Sequence, residues 1–208
     1  MRRFVVIGQR ASASPDFSLV DLAGTSGRLD VLVRCLRASL LVSHGLRRDT
    51  RVYLVLRGGA AAPRVLRVAG DEVRFLRPDE RALAVLVQKS LRDADERGRS
   101  PSFVTVRPGV AVADGDLDVV LADLPPGASL HVLEPGGEDV REAPLDLRDP
   151  VVFVGDHRGF DPATRERLRE LGATALGVGP VALHADDAIA QVTNELDRRH
   201  ARAVTRPE

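Results

Sequence analysis

The sequence contains one cysteine, Cys35. A single thiol excludes an internal disulfide and any thiolate-rich zinc site. Lysine is equally scarce, since Lys89 is the only one among 30 cations and the rest are arginine. Arginine forks onto phosphate in a way lysine cannot, although codon bias alone can also produce such a composition. No apolar run approaches the ~18 residues a membrane span needs. Met1-Arg2-Arg3 leads straight into Phe4–Ile7, too short for a signal segment, so a cytoplasmic protein with no membrane partner is expected. GxGxxG, the P-loop, HExxH and a serine elbow are all missing. The chain has no internal repeats and no low-complexity tract.

What is present is an ordinary globular composition, with 208 residues, 44% hydrophobic and 29% charged. That length buries a continuous core as one large domain or two small ones. Thirty acids balance the thirty cations, which argues against a polyanion partner. The distribution is uneven, however. Residues 28–67 carry nine Arg against Asp30 and Asp49, and residues 114–149 carry ten acids against Arg141 and Arg148. Such asymmetry marks either a basic face for a polyanion or two solvated surfaces.

Periodicity predicts an α/β protein with a mainly parallel sheet. Phe4–Ile7, Arg51–Leu56, Val65–Val68, Val73–Leu76, Phe103–Val106, Val119–Leu121, Ser129–Leu133, Val151–Val154 and Thr174–Val178 read as strands. Leu29, Leu32, Val33, Leu36 and Leu40 form one helical stripe. Leu83, Leu86, Val87 and Leu91 form another, starting near Asp79. Asp161-Pro162 opens a helix that Gly172 closes. A last helix spans about Asp186 to Arg199, with Ile189, Val192, Thr193 and Leu196 on one face, and 201–208 is expected to fray.

Ligands of open α/β sheets bind beyond the C-terminal ends of the strands. Two glycine loops occupy such places, Gly155-Asp156-His157-Arg158-Gly159 and Gly177-Val178-Gly179-Pro180, and Leu133-Glu134-Pro135-Gly136-Gly137 is a third candidate. Glycines there also make plain tight turns, and two loops together favour a pocket. His157 and His184 lack ligand spacing, so no metal is expected; a loop hydrogen bond and a helix-start contact are the expected roles. Cys35 reads as a half-buried packing residue, with a catalytic thiol the weaker alternative. Arg28 opens a helix where a phosphate could sit, and Asp30 and Arg34 have the spacing of an i,i+4 pair.

Several motifs resemble the archaeal tRNA pseudouridine-54 N1-methyltransferases. They run in order as Pro15-Asp16-Phe17-Ser18-Leu19 with Asp21-Leu22, Gly27-Arg28-Leu29-Asp30, Ser43-His44 with Leu46-Arg47-Arg48-Asp49, Pro78-Asp79-Glu80-Arg81, Gly137-Glu138-Asp139-Val140, Gly155-Asp156-His157 and Leu183-His184-Ala185. The resemblance implies one SPOUT-type domain over residues 1–200 with a C-terminal trefoil knot. It implies S-adenosyl-L-methionine at the knot, a tRNA substrate and a homodimer that shares its site. The cofactor residues carried over are Leu133, Gly155, Leu176, Gly177, Val178, Gly179, Pro180, Val181, Leu183 and Ala188. Asp30 is the candidate for orienting the base or accepting its proton, beside Arg28. Arg28 and Arg34 are candidates for phosphate contact, and Arg47 and Arg48 for RNA binding. Ala188 stands where the family has cysteine, which leaves a backbone contact there; Leu22-Ala23-Gly24 replaces an expected Leu-Pro-Gly. A pseudouridine methyltransferase acting on rRNA and a silent RNA-binding SPOUT protein are the alternative readings.

Overall fold

The computed structural model describes residues 1–144 and 149–204. In chain order the elements are β1 (Arg2–Ser12), α1 (Leu22–Thr25), α2 (Leu29–Leu40), β2 (Leu41–Val42), β3 (Gly45–Leu46), β4 (Thr50–Gly58), β5 (Arg64–Ala69) and α3 (Glu80–Arg97). They continue as β6 (Val104–Arg107), β7 (Val110–Asp114), α4 (Leu117–Asp123), β8 (Ser129–Asp139), β9 (Pro150–Gly155), α5 (Pro162–Glu170), β10 (Thr174–Gly177) and α6 (Ala185–Val204). Eight strands form one sheet in the order β10-β8-β9-β1-β4-β5-β7-β6, and β2 pairs with β3 as a separate antiparallel ribbon. From β10 to β4 every pairing is parallel. From β4 to β6 every pairing is antiparallel. The expected mainly parallel α/β sheet is present, with an antiparallel extension on one side.

Phe4 to Ile7 are fully buried because β1 has a parallel partner on each edge and helices over both faces. Side chains alternate between two cores. Phe4, Val6, Val52, Leu54 and Val152 join the core under α2, α3 and α6. Val5, Ile7, Tyr53, Val55 and Phe153 join the core that includes Leu117 and Val120 of α4 and Leu168 of α5. The α2 stripe of Leu29, Leu32, Val33, Leu36 and Leu40 is wholly buried, and so is Cys35, whose thiol burial pushes up. Asp79 caps α3 by accepting from Ala82 N, and Asp161 caps α5 by accepting from Thr164 N ahead of Pro162. Gly172 follows α5 at φ +75°, the left-handed C-terminal cap expected of it. The stripe of Ile189, Val192, Thr193 and Leu196 on α6 faces the chain's own core.

Four expectations differ from what the fold contains. Val119–Leu121 lies inside α4, started by Asp116, which accepts from Leu117 N. Three apolar residues cannot separate a strand from a buried helical turn. Val73–Leu76 is irregular; Val73 O is held by the Arg48 guanidinium at 2.7 Å instead of by a strand. A strand that periodicity missed, β7, turns back from β6 through Gly109 at φ +72°. Finally, α6 runs on through Val204, into the stretch expected to fray, while 205–208 lie outside the described residues.

The charge asymmetry resolves inside the molecule. Arg57 meets Asp116, Arg64 meets Asp114, and Arg51 and Arg67 both meet Asp123. The basic stretch is thus paired with the acidic one across the β4–β5–β7 region. Of the acidic stretch, Asp146 and Arg148 lie outside the described residues.

Candidate cofactor and substrate site

The bulged stretch 133–137 within β8 and the loops after β9 and β10 meet at one end of the parallel half and enclose a cavity of about 510 Å³. Glycine makes the meeting possible. A Cβ on Gly155 would lie 2.6 Å from the Gly159 carbonyl carbon, and one on Gly177 would lie 2.7 Å from Gly137 O. The β8–β10 register also jumps here, from Ala175↔Val132 to Leu176↔Glu138, so residues 133–137 loop out over the cavity.

Of the expected cofactor residues, Leu133, Gly155, Leu176, Val178, Gly179, Val181, Leu183 and Ala188 line the cavity, and Gly177 and Pro180 do not. Gly177 instead accepts a hydrogen bond from Val140 N at 2.8 Å, which closes the wall behind the loop. Val154, Phe160 and Val31 add apolar surface, while Glu134 and Asp186 add carboxylates. Arg165 of α5 pairs with Glu134 at 2.6 Å. That pair joins residues 31 apart in sequence, and no local pattern signals it.

Arg28 enters the cavity from the start of α2. Gly27 (φ +62°) and Arg28 (φ +69°) are consecutive left-handed residues. For arginine this conformation is uncommon and costs energy, and such strain gathers at functional sites. Gly27 is obligatory, since a Cβ there would come within 1.8 Å of Arg10 O. Asp30 sits behind Arg28 and does not line the cavity; it is 4% exposed. Its Oδ1 accepts from Arg28 Nε at 2.9 Å, and its Oδ2 from Arg28 at 3.1 Å and from Arg34 at 3.1 Å. Burial pushes this carboxyl up, but the bonds from Arg28 and Arg34 outweigh burial and hold it below its ordinary value. Arg34 also lines the cavity and reaches Glu80 at 3.3 Å and Asp186 at 3.6 Å, so its charge is matched by three carboxylates.

Arg47 and Arg48 lie elsewhere. Arg47 pairs with Asp197 at 2.8 Å, and Arg48 donates to Gly70 O and Val73 O. Both guanidiniums tie the fold together beside a separate groove. His157 lines the cavity next to Asp156, and His184 O accepts from Ala188 N at the start of α6, the helix-start contact expected of it. No group of three or more metal-ligating side chains occurs among the described residues, and among them no helix is long and apolar enough to cross a membrane.

Sequence analysis gives Asp156 no role. In the fold its buried carboxylate accepts from Gln9 N at 2.7 Å and from Arg158 N at 2.8 Å, binding the end of β1 to the loop after β9. A carboxylate between Gly155 and Gly159 is the signal that points to it.

Residues 1–201 match a family of SAM-dependent RNA methyltransferases. The chain belongs to this family. Its cofactor is therefore S-adenosylmethionine, and the cavity suits such a ligand in size, within the roughly 300–1,000 Å³ of small-molecule sites. The walls suit it as well: glycine backbone at 155 and 179 permits close approach, and Leu133, Leu176 and Val178 offer apolar contact. The tRNA (pseudouridine(54)-N(1))-methyltransferase of Methanosarcina acetivorans is 41% identical over 201 residues, covering 97% of this chain and 93% of that protein. The protein of the same name from Halobacterium salinarum is 40% identical over 197 residues, covering 95% and 96%. Among solved structures, Archaeoglobus fulgidus Nep1 bound to S-adenosylhomocysteine has the same fold, with a TM-score of 0.60 at 16% identity, covering 96% of this chain and 99% of that one.

Proposed function

We propose that the protein methylates N1 of pseudouridine 54 in tRNA. The observation that carries the reading is the single cavity shared by the glycine loops at 155 and 179 and by Arg28. Relatives about 40% identical over nearly their whole length bear the name of that activity, which supports the choice of substrate.

S-adenosylmethionine, when bound, supplies an electrophilic methyl group. Leu133, Gly155, Leu176, Val178, Gly179 and Leu183 would hold it, with Ala188 contributing through its backbone. Pseudouridine keeps a free N1–H because its glycosidic bond is to carbon, so N1 is the nucleophile. The protein must align the base and let that proton leave. Arg28 lines the cavity and would face the acceptor base. Asp30 is charged across the physiological range and both its oxygens are engaged by guanidiniums. Its part is to position Arg28, and the N1 proton passes to water.

The protein acts in this reading as a homodimer. The support is apolar surface beside the cavity: Val181 is 69% exposed and Leu183 44%. A second copy covering them would close the site. The outward loop of residues 133–137 and the double contact of β8 with β10 agree with a C-terminal knot.

Incubating the protein with S-adenosylmethionine and unmodified-N1 tRNA, then analysing nucleosides by mass spectrometry, tests the reading. N1-methylpseudouridine confined to position 54 is the expected product. Methylation of rRNA alone, or cofactor binding without transfer to either RNA, overturns it.

A further inference from the structure

An arginine paired with a carboxylate inside the fold has little net charge left for RNA. In residues 28–67 only Arg37 lacks both an ion pair and a backbone carbonyl partner among the described residues. Arg37, and Arg48 with its two carbonyl partners, keep their charge but line the separate groove, so cationic surface next to this cavity comes from other residues.

Arg10 and Arg158 supply it. Both are exposed and neither pairs with an acid among the described residues. They line one cleft of about 420 Å³ with Gln9, Phe160, Asp161 and Pro162. Phe160 also lines the cofactor cavity, so the cleft and the cavity share this residue. The acid in the cleft, Asp161, is engaged: its Oδ2 accepts at 2.6 Å from Arg57, a guanidinium it shares with Asp116, and its Oδ1 accepts from Thr164 N. The backbone that carries the two arginines is held in place. Asp156 holds the backbone of Gln9 and of Arg158 on its two oxygens. The Arg10 carbonyl is flanked by Gly27 and Gly58, where added Cβ atoms would lie 1.8 and 1.9 Å from it. Gly27 precedes Arg28, so Arg10 and Arg28 are presented from touching segments of backbone.

We infer that Arg10 and Arg158 form a phosphodiester subsite that holds the RNA backbone beside the nucleotide being methylated. The inference rests on the RNA substrate proposed above. Forked guanidinium donors on two arginines without an ion pair, against one acid already engaged by Arg57, suit phosphate oxygens. The cleft reads no base, so it contributes affinity and register and leaves the choice of nucleotide to the cavity.

The test compares tRNA binding by the wild type, by Arg10→Ala/Arg158→Ala, and by Lys89→Ala/Arg92→Ala, which removes two charges on α3. If each arginine meets one phosphate, the cleft variant loses about 1.4 to 1.8 from the slope of log affinity against log salt. Its tRNA affinity at low salt falls about tenfold, its S-adenosylmethionine affinity is unchanged, and Arg10→Lys/Arg158→Lys keeps most of the slope. An unchanged affinity and slope in a folded cleft variant overturns the inference. So does an equal loss in the Lys89/Arg92 variant, which would make the effect one of general charge. A wild type that binds no tRNA overturns the RNA substrate itself, a result distinct from either.

Discussion

On the antiparallel side of the sheet, Arg64 is 1% exposed and its guanidinium lies 2.6 Å from Asp95 and 3.0 Å from Asp114. At the strand ends of the parallel side, Arg10 and Arg158 are exposed and form no ion pair among the described residues. The same residue type thus closes one region and leaves the other open. The antiparallel region ties Arg51, Arg57, Arg64 and Arg67 into internal ion pairs. The parallel region has crossovers whose glycine loops leave a cavity, with Arg10 and Arg158 beside it. Net charge by stretch of sequence hides this, because the ion pairs join distant stretches.

Substitutions on the two sides should separate stability from function. The largest effect is expected for Arg64→Ala. It removes a buried guanidinium from Asp95 and Asp114, of which Asp114 keeps Arg99; losing two charge-assisted bonds costs about 3 kcal/mol. Urea unfolding measures the loss, and cofactor affinity per folded molecule should not change. An equal drop in cofactor affinity would mean that the two regions are coupled.

Gly155→Val belongs to the other side. A branched side chain must displace the Gly159 backbone, so S-adenosylmethionine affinity should fall at least about a hundredfold, roughly 2.8 kcal/mol, by calorimetry. A folded variant with wild-type affinity would remove this loop from the site.

Asp30→Asn keeps the shape and removes the charge that orients Arg28 and Arg34. The methylation rate should fall about tenfold, roughly 1.4 kcal/mol, with tRNA affinity within twofold. Since the folded pKa of Asp30 lies below the unfolded value of about 3.9, its charge stabilises the fold fully above that pH. That contribution disappears as pH falls through the folded pKa, so wild type and variant should converge in stability in acid and differ by a constant amount from about pH 5 to 8. A rate for the variant that rises with pH across neutrality would restore Asp30 as the proton acceptor.

The smallest effect is expected for Arg47→Ala/Arg48→Ala. Their bonds to Asp197 and to the Gly70 and Val73 carbonyls predict a stability loss of about 1 kcal/mol in thermal unfolding. The salt slope of tRNA binding should stay as in the wild type. A flattened slope would place these two arginines at the RNA after all.

Elements with a strong period are legible in the amino-acid sequence alone. The α2 stripe, the continuous apolar β1 and β9, and the Asp161-Pro162 start of α5 each follow from one local rule. The glycine loops at 155 and 179 are legible for the same reason, because strand ends are where cavities form. What is not legible is what depends on distant residues meeting. Val119–Leu121 has strand composition, yet the Asp116 cap and the core beneath it make it a helix. The roles of Arg47 and Arg48 depend on carbonyls and an acid that only the fold brings near. Asp30 has the type of a base; its i,i+4 spacing already gives Arg34 as a partner, and only the fold adds Arg28 to the same carboxylate.

The buried Cys35 has a practical meaning. With its thiol sealed under α2 and no other cysteine in the chain, the native surface is blank to thiol reagents. Any label that does attach to the unaltered protein must wait for the α2 layer to lift, so its rate is a clock for that opening. Conversely, a single introduced thiol, such as Val181→Cys, would be the only rapidly reacting one. A fluorophore there would report, from one known position, when the cavity fills or a second copy arrives.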